Sequence, residues 1–77
     1  SEGRFAHKFK AHTGFSPGQY YIAIRMKKAK ELLSDTNLPV SNVADAVGYD
    51  NALYFSRLFR NFQGMSPSAY RNMKTRD

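Results

Sequence analysis

Cysteine is absent from all 77 residues, which removes disulfides, thiolate metal sites and cysteine nucleophiles together and fits a reducing compartment. Long apolar runs are absent too. The longest, Tyr20 to Ile24, falls far short of the roughly 18 residues that a membrane-spanning helix needs, and no signal peptide is visible. The expected location is the cytoplasm. No strand has a pairing partner: the only candidate, YYIAI, lies inside a helical pattern, so the chain should be all α. Groups for acid/base or metal chemistry are also missing. His7 and His12 are five positions apart, hence on different helix faces, and neither cysteine nor paired carboxylates accompany them. GFSPG lacks the lysine and spacing of a phosphate loop. No cofactor, metal or enzymatic activity is expected. Acidic residues are few: 6, against 12 lysines and arginines, for a net charge of +6 and a sequence pI near 9.9. That balance favours a polyanionic partner, nucleic acid or an acidic membrane surface.

What is present points to a small packed domain. Hydrophobic residues make up 42% of the chain, with 5 tyrosines and 6 phenylalanines, too apolar for a disordered segment. The aromatics fall in a repeat. FAHKFKAHTGFSPGQY, residues 5–20, is echoed by FSRLFRNFQGMSPSAY, residues 55–70. Phe5/Phe55, Phe9/Phe59, Gly14/Gly64, Ser16/Ser66, Pro17/Pro67 and Tyr20/Tyr70 are identical, and Lys10/Arg60 keeps a positive charge. Unrelated stretches of this length share about one residue at ordinary amino-acid frequencies.

Glycine and proline divide the chain into helices. Phe5 and Phe9 share one face of a helix that Gly14 ends. Ser16 and Pro17 stand as N-cap and first residue of a second helix, Pro17 to Ser34, in which Ile22, Met26, Ala29 and Leu33 form the buried stripe, widened by Leu32. Arg25, Lys27, Lys28, Lys30 and Glu31 are mostly left for solvent. Ser41 caps a short third helix with Val43, Ala44 and Val47 inward, closed by Gly48. Asp50 or Asn51 caps a fourth in which Phe55, Leu58, Phe59 and Phe62 make one apolar face. Gly64 and Ser66-Pro67 repeat the stop and the start, and a last helix carries Tyr70.

Residues 41–62 read as helix, tight glycine turn, helix, the sign of a helix-turn-helix. On the second of these helices the surface opposite Phe55 and Phe59 holds Leu53, Ser56, Arg57 and Arg60. In a major groove, an arginine can fork onto guanine, a serine can bond to a base, and a leucine can touch a thymine methyl. Exposed arginines can equally do no more than solvate a face. The repeat adds a second such surface: Gly3, Ala6, His7 and Lys10. An 18-residue connector is about 27 Å long, comparable with the roughly 34 Å between successive major-groove entries on one face of a duplex.

RxxxAxxLL at 25–33, VADAVGYDNALYFSRLFR at 43–60 and GMSPSAYR at 64–71 resemble the DNA-binding domain of AraC/XylS-family bacterial transcription regulators, across essentially the whole chain. The resemblance implies two homeodomain-like helix-turn-helix units joined by a long helix. Residues 1–16 are then a remnant of the first unit, 17–35 the connector, and 36–77 the second unit with the C-terminal helix. It further implies binding of double-stranded promoter DNA, activation through RNA polymerase, and a sensing or dimerising domain outside this chain, in the bacterial cytoplasm at the nucleoid. By position, Ala52, Leu53, Ser56 and Arg57 face bases and Arg60 a phosphate; in the first unit Gly3, Ala6 and His7 face bases and Lys10 the backbone. Two departures stand out. Gly3 and Ala6 offer no side-chain hydrogen bonds, and His7 stands where the second unit has Arg57. Counterparts of residues 40–50 are missing from the first copy, so the first unit is expected to be incomplete, its helix loosely held and Phe5 and Phe9 partly uncovered. The competing readings are a basic helical protein-interaction module and an anionic-membrane-surface helix bearing Lys27, Lys28 and Lys30.

Overall fold

The computed structural model describes the backbone of residues 2–76 and the side chains of residues 6–75. Five helices follow one another: α1 (Glu2–Thr13), α2 (Pro17–Asp35), α3 (Val40–Ala46), α4 (Ala52–Gln63) and α5 (Pro67–Arg76). No strand occurs among the described residues.

The starts and stops follow the punctuation. Ser16 forms a reciprocal capping box with Gln19: the Gln19 amide donates to Ser16 Oγ at 3.2 Å and the Ser16 amide to Gln19 Oε1 at 3.1 Å. Two orphan donors at the head of α2 are thereby satisfied. Ser66 accepts from the Ala69 amide at 3.1 Å at the head of α5. Asn51 caps α4, accepting from the Tyr54 amide at 2.9 Å; Asp50 does not. Gly14 and Gly64 close α1 and α4 at φ 81° and 79°, and their amides return to Lys10 O and Arg60 O at 2.8 and 2.7 Å. The far end of α2 is closed by the Thr36 hydroxyl on Leu32 O at 2.6 Å and by Arg71 Nε, from α5, on Leu33 O at 3.1 Å.

The core is one cluster centred on the second half of α2. Met26, Ala29 and Leu33 meet Val43, Ala44 and Val47, then Phe55 and Phe59 of α4 and Tyr70 of α5, all buried. Ala29 and Ala44 are small where α2 and α3 approach, and both are essentially inaccessible. A file of rings runs through the cluster. Tyr49, Phe55, Phe59 and Tyr70 follow one another at centroid separations of 6.0, 5.9 and 5.6 Å, spacings at which aromatic pairs attract. The repeat reappears in three dimensions: Phe9 meets Tyr20 edge-on at 5.1 Å and 79°, as Phe59 meets Tyr70 at 5.6 Å and 72°.

Three expectations are corrected. Ser41 does not cap α3, because the N-cap falls two residues earlier, at Pro39. The helix's opening carbonyl belongs to Pro39, which accepts from the Asn42 and Val43 amides, and the Ser41 hydroxyl turns to Asn42 Oδ1. Phe62 is 37% exposed: it lies in the last turn of α4, beyond the core, beside an open groove with Gly14, Phe15, Gln19 and Asn61. Arg25 is half-buried instead of solvated, held by two tyrosines. In α1, Phe9 is half-buried as expected; the side chain of Phe5 and the burial of Gly3 lie outside the described residues.

Candidate nucleic-acid interface

The face of α4 opposite the core is built by default. Phe55 and Phe59, four apart, are fully buried, and helical geometry then turns Leu53, Arg57 and Arg60 outward. Leu53 is 63% exposed and both arginines are exposed. Ala52 and Ser56 are half-buried on the flank of that face. Neither arginine enters an ion pair among the described residues, so both guanidinium forks are open to a ligand.

The exposed side of α1 follows the same pattern. His7 and Lys10 are exposed where Arg57 and Arg60 are exposed, and Ala6 is half-buried where Ser56 is. Lys10 is likewise without an ion pair among the described residues. Two repeated helices thus present outward-facing side chains at matching positions, on either side of a connector of 19 residues, about 28 Å at ~1.5 Å per residue. The molecule is a slab of 45 × 27 × 17 Å, long enough for groove entries roughly 34 Å apart.

Among the described residues no group of three or more histidines, cysteines or acids could hold a metal. Ser16 and Ser66 both act as helix caps. Among the described residues no helix is long and apolar enough to cross a membrane.

A family model described as a helix-turn-helix domain matches residues 1–73. Over 71 residues the chain is 44% identical to the MmsAB operon regulatory protein of Pseudomonas aeruginosa, an alignment that covers 92% of this chain and 23% of that protein. It is also similar to a solved transcriptional regulator from Chromobacterium violaceum, described as AraC-type, with TM-score 0.85 and 27% identity over 92% of this chain and 63% of that one. The chain belongs to the AraC-type helix-turn-helix domains. A third likeness is to the DNA-binding domain of AdpA, described as a global transcriptional factor and solved with a target DNA. There the identity is 33% and the TM-score 0.83, over 95% of this chain and 66% of that one. The AraC-type chain spans about a quarter of the length of the curated relatives it matches.

Two features of this AraC-type domain escaped the sequence reading. Tyr54 is 53% exposed at the head of α4 and packs edge-on against Tyr49 at 6.0 Å. Arg25, on the connector, stacks over Tyr21 at 4.4 Å and Tyr49 at 4.9 Å. Its Nη2 donates to the Tyr21 hydroxyl at 2.7 Å and its Nη1 to Gly48 O at 3.5 Å. The hydrogen bond to the Tyr21 hydroxyl, with Tyr49 next, raises the Arg25 pKa above its ordinary value; the guanidinium is a cation with or without that shift. The four-residue step from Tyr21 to Arg25 was readable as a helix-face pair. Tyr49 as the second wall was not, because it arrives from another element.

Proposed function

We propose that the chain binds double-stranded DNA in the major groove, as the sequence-reading part of a bacterial transcription regulator. The observation that carries this reading is the duplicated face: two repeated helices with matching outward side chains on one elongated, basic body. The likeness to a domain solved with its target DNA supports it. The division into a first unit at 1–16, a connector at 17–35 and a second unit at 36–77 belongs to the same proposal. Leu53, Ser56 and Arg57, with Ala52 beside them, read bases in one groove segment and Arg60 binds a phosphate. Gly3, Ala6 and His7 face the other segment, with Lys10 on the backbone. The first surface offers few hydrogen bonds, so its contribution comes through van der Waals contact and water. In the whole regulator, a sensing or dimerising domain outside this chain and contacts with RNA polymerase complete an activator that works in the bacterial cytoplasm.

The test is a duplex selected from a random pool, followed by substitution. Arg57→Ala is expected to lose about 1–3 kcal/mol on the selected duplex and little on random duplex, since a bidentate contact to guanine is specific. Equal losses on both would reduce Arg57 to a phosphate contact. Lys10→Ala is expected to weaken binding to every duplex alike and to lower the slope of log affinity against log salt by about 1. Titrations at several salt concentrations measure it, and an unchanged slope removes Lys10 from the backbone contacts.

A further inference from the structure

Arg25 sits where the two halves of the molecule part. All the buried residues of α2 lie on its C-terminal side: Met26, Ala29 and Leu33. On its N-terminal side Tyr21 is 58% and Ile24 52% exposed, while Tyr20 packs on Phe9 of α1. N-terminal to Arg25 the packing on the second unit thins to the half-buried Ile22, and α2 goes on to carry the first. At that junction the guanidinium lies against the rings of Tyr21 and Tyr49 and donates to the Tyr21 hydroxyl and the Gly48 carbonyl. Tyr49 in turn packs on Tyr54 and Phe55 of α4. The contacts run without a break from α2, through the glycine turn, to the head of the exposed helix.

We propose that Arg25 is a positioning residue. Packed against Tyr21 and Tyr49, it sets the angle between α2 and α4, and hence the separation of the two DNA segments that α1 and α4 reach. This rests on the DNA-binding reading above for its consequence, though not for its geometry. The lever is short but sufficient. Eight residues from Pro17 to Ile24 make an arm of about 12 Å, and a tilt of about 15° moves its end by about 3 Å, roughly the rise of one base pair. A lysine cannot replace the clamp. Its ammonium is a point charge without a planar face to lie against two rings while donating to two separate acceptors.

The lack of cysteine allows a direct measurement. Spin labels at Lys8→Cys on α1 and Leu53→Cys on α4, both exposed positions, report the distance between the two helices by pulsed electron resonance without DNA. With Arg25 intact the distance distribution is expected to be narrow. In R25K and R25A, checked as folded by circular dichroism, it should broaden, or shift by about 3 Å, the displacement derived above. An unchanged distribution in folded R25K overturns the proposal. In the DNA arm, without labels, one base pair is inserted between the two segments of the selected duplex. The parent is expected to lose about 10-fold in affinity, the size of a single mismatch, and R25K under about 3-fold. A general loss of stability would lower both affinities together and leave their ratio alone, so an unchanged ratio also counts against positioning. Should the parent bind no duplex while R25K broadens the distance, the DNA reading falls and the clamp stands.

Discussion

Phe59→Ala is expected to remove a large share of the chain's stability, about 3–5 kcal/mol. Phe59 is completely buried, lies between Phe55 and Tyr70 in the file of rings, and shares the cluster with all three buried residues of α2. Truncating a buried phenylalanine costs about 3–5 kcal/mol, because the lost transfer energy is joined by the cavity left behind. The whole chain has little to spare: at ~0.05–0.15 kcal/mol per residue, a domain this size is stable by about 4–12 kcal/mol. Phe9→Ala is the internal control. It removes the repeated ring from a half-buried site and is expected to cost less than half as much. Urea unfolding followed by helical circular dichroism compares the two. Equal midpoints would mean that the two copies of the repeat are equally well supported, contrary to their burial.

That comparison exposes what periodicity can and cannot convey. Phe55 and Phe59 were readable as inward, and Leu53 and Arg57 as outward, because a helix converts spacing into direction without reference to anything else. The glycine stops and serine-proline starts were readable for the same reason: caps and φ limits are local. All five helices followed. Burial is a different quantity, because it depends on what lies opposite. Phe62 has the right spacing for the inner face, but α4 outruns the core there. Ser41 has the right chemistry for a cap, but the Pro39 carbonyl opens the helix first, and the Ser41 hydroxyl, two residues past the N-cap, donates to Asn42 Oδ1 instead. Arg25 was assigned to solvent by the same pattern that placed Met26 beside it correctly. Its two aromatic walls come from α2 and from the turn after α3, a juxtaposition that exists only once the helices have packed.

Gly48→Ala is expected to be the most costly change outside the core, and for two separable reasons. The backbone there has φ +99°, a conformation that costs a residue with a Cβ about 1–3 kcal/mol. The added methyl would also stand 3.1 to 3.3 Å from Arg25 Cζ, Nη1 and Nη2, so the guanidinium must give way by a few tenths of an ångström against Tyr21 and Tyr49. Gly64 isolates the first term, since it has φ +79° with nothing within 4 Å of a built Cβ. Gly48→Ala should therefore destabilise more than Gly64→Ala, and the excess belongs to Arg25. A double-mutant cycle extracts it: in the Arg25→Ala background the methyl has nothing to displace, and the two alanine substitutions should then cost the same within the roughly 0.5 kcal/mol over which independent sites add. Persistence of the excess without Arg25 would show that strain in the turn, and not the clamp, distinguishes Gly48. Its disappearance would identify the glycine as the residue that leaves room for an arginine to join the two halves of the domain.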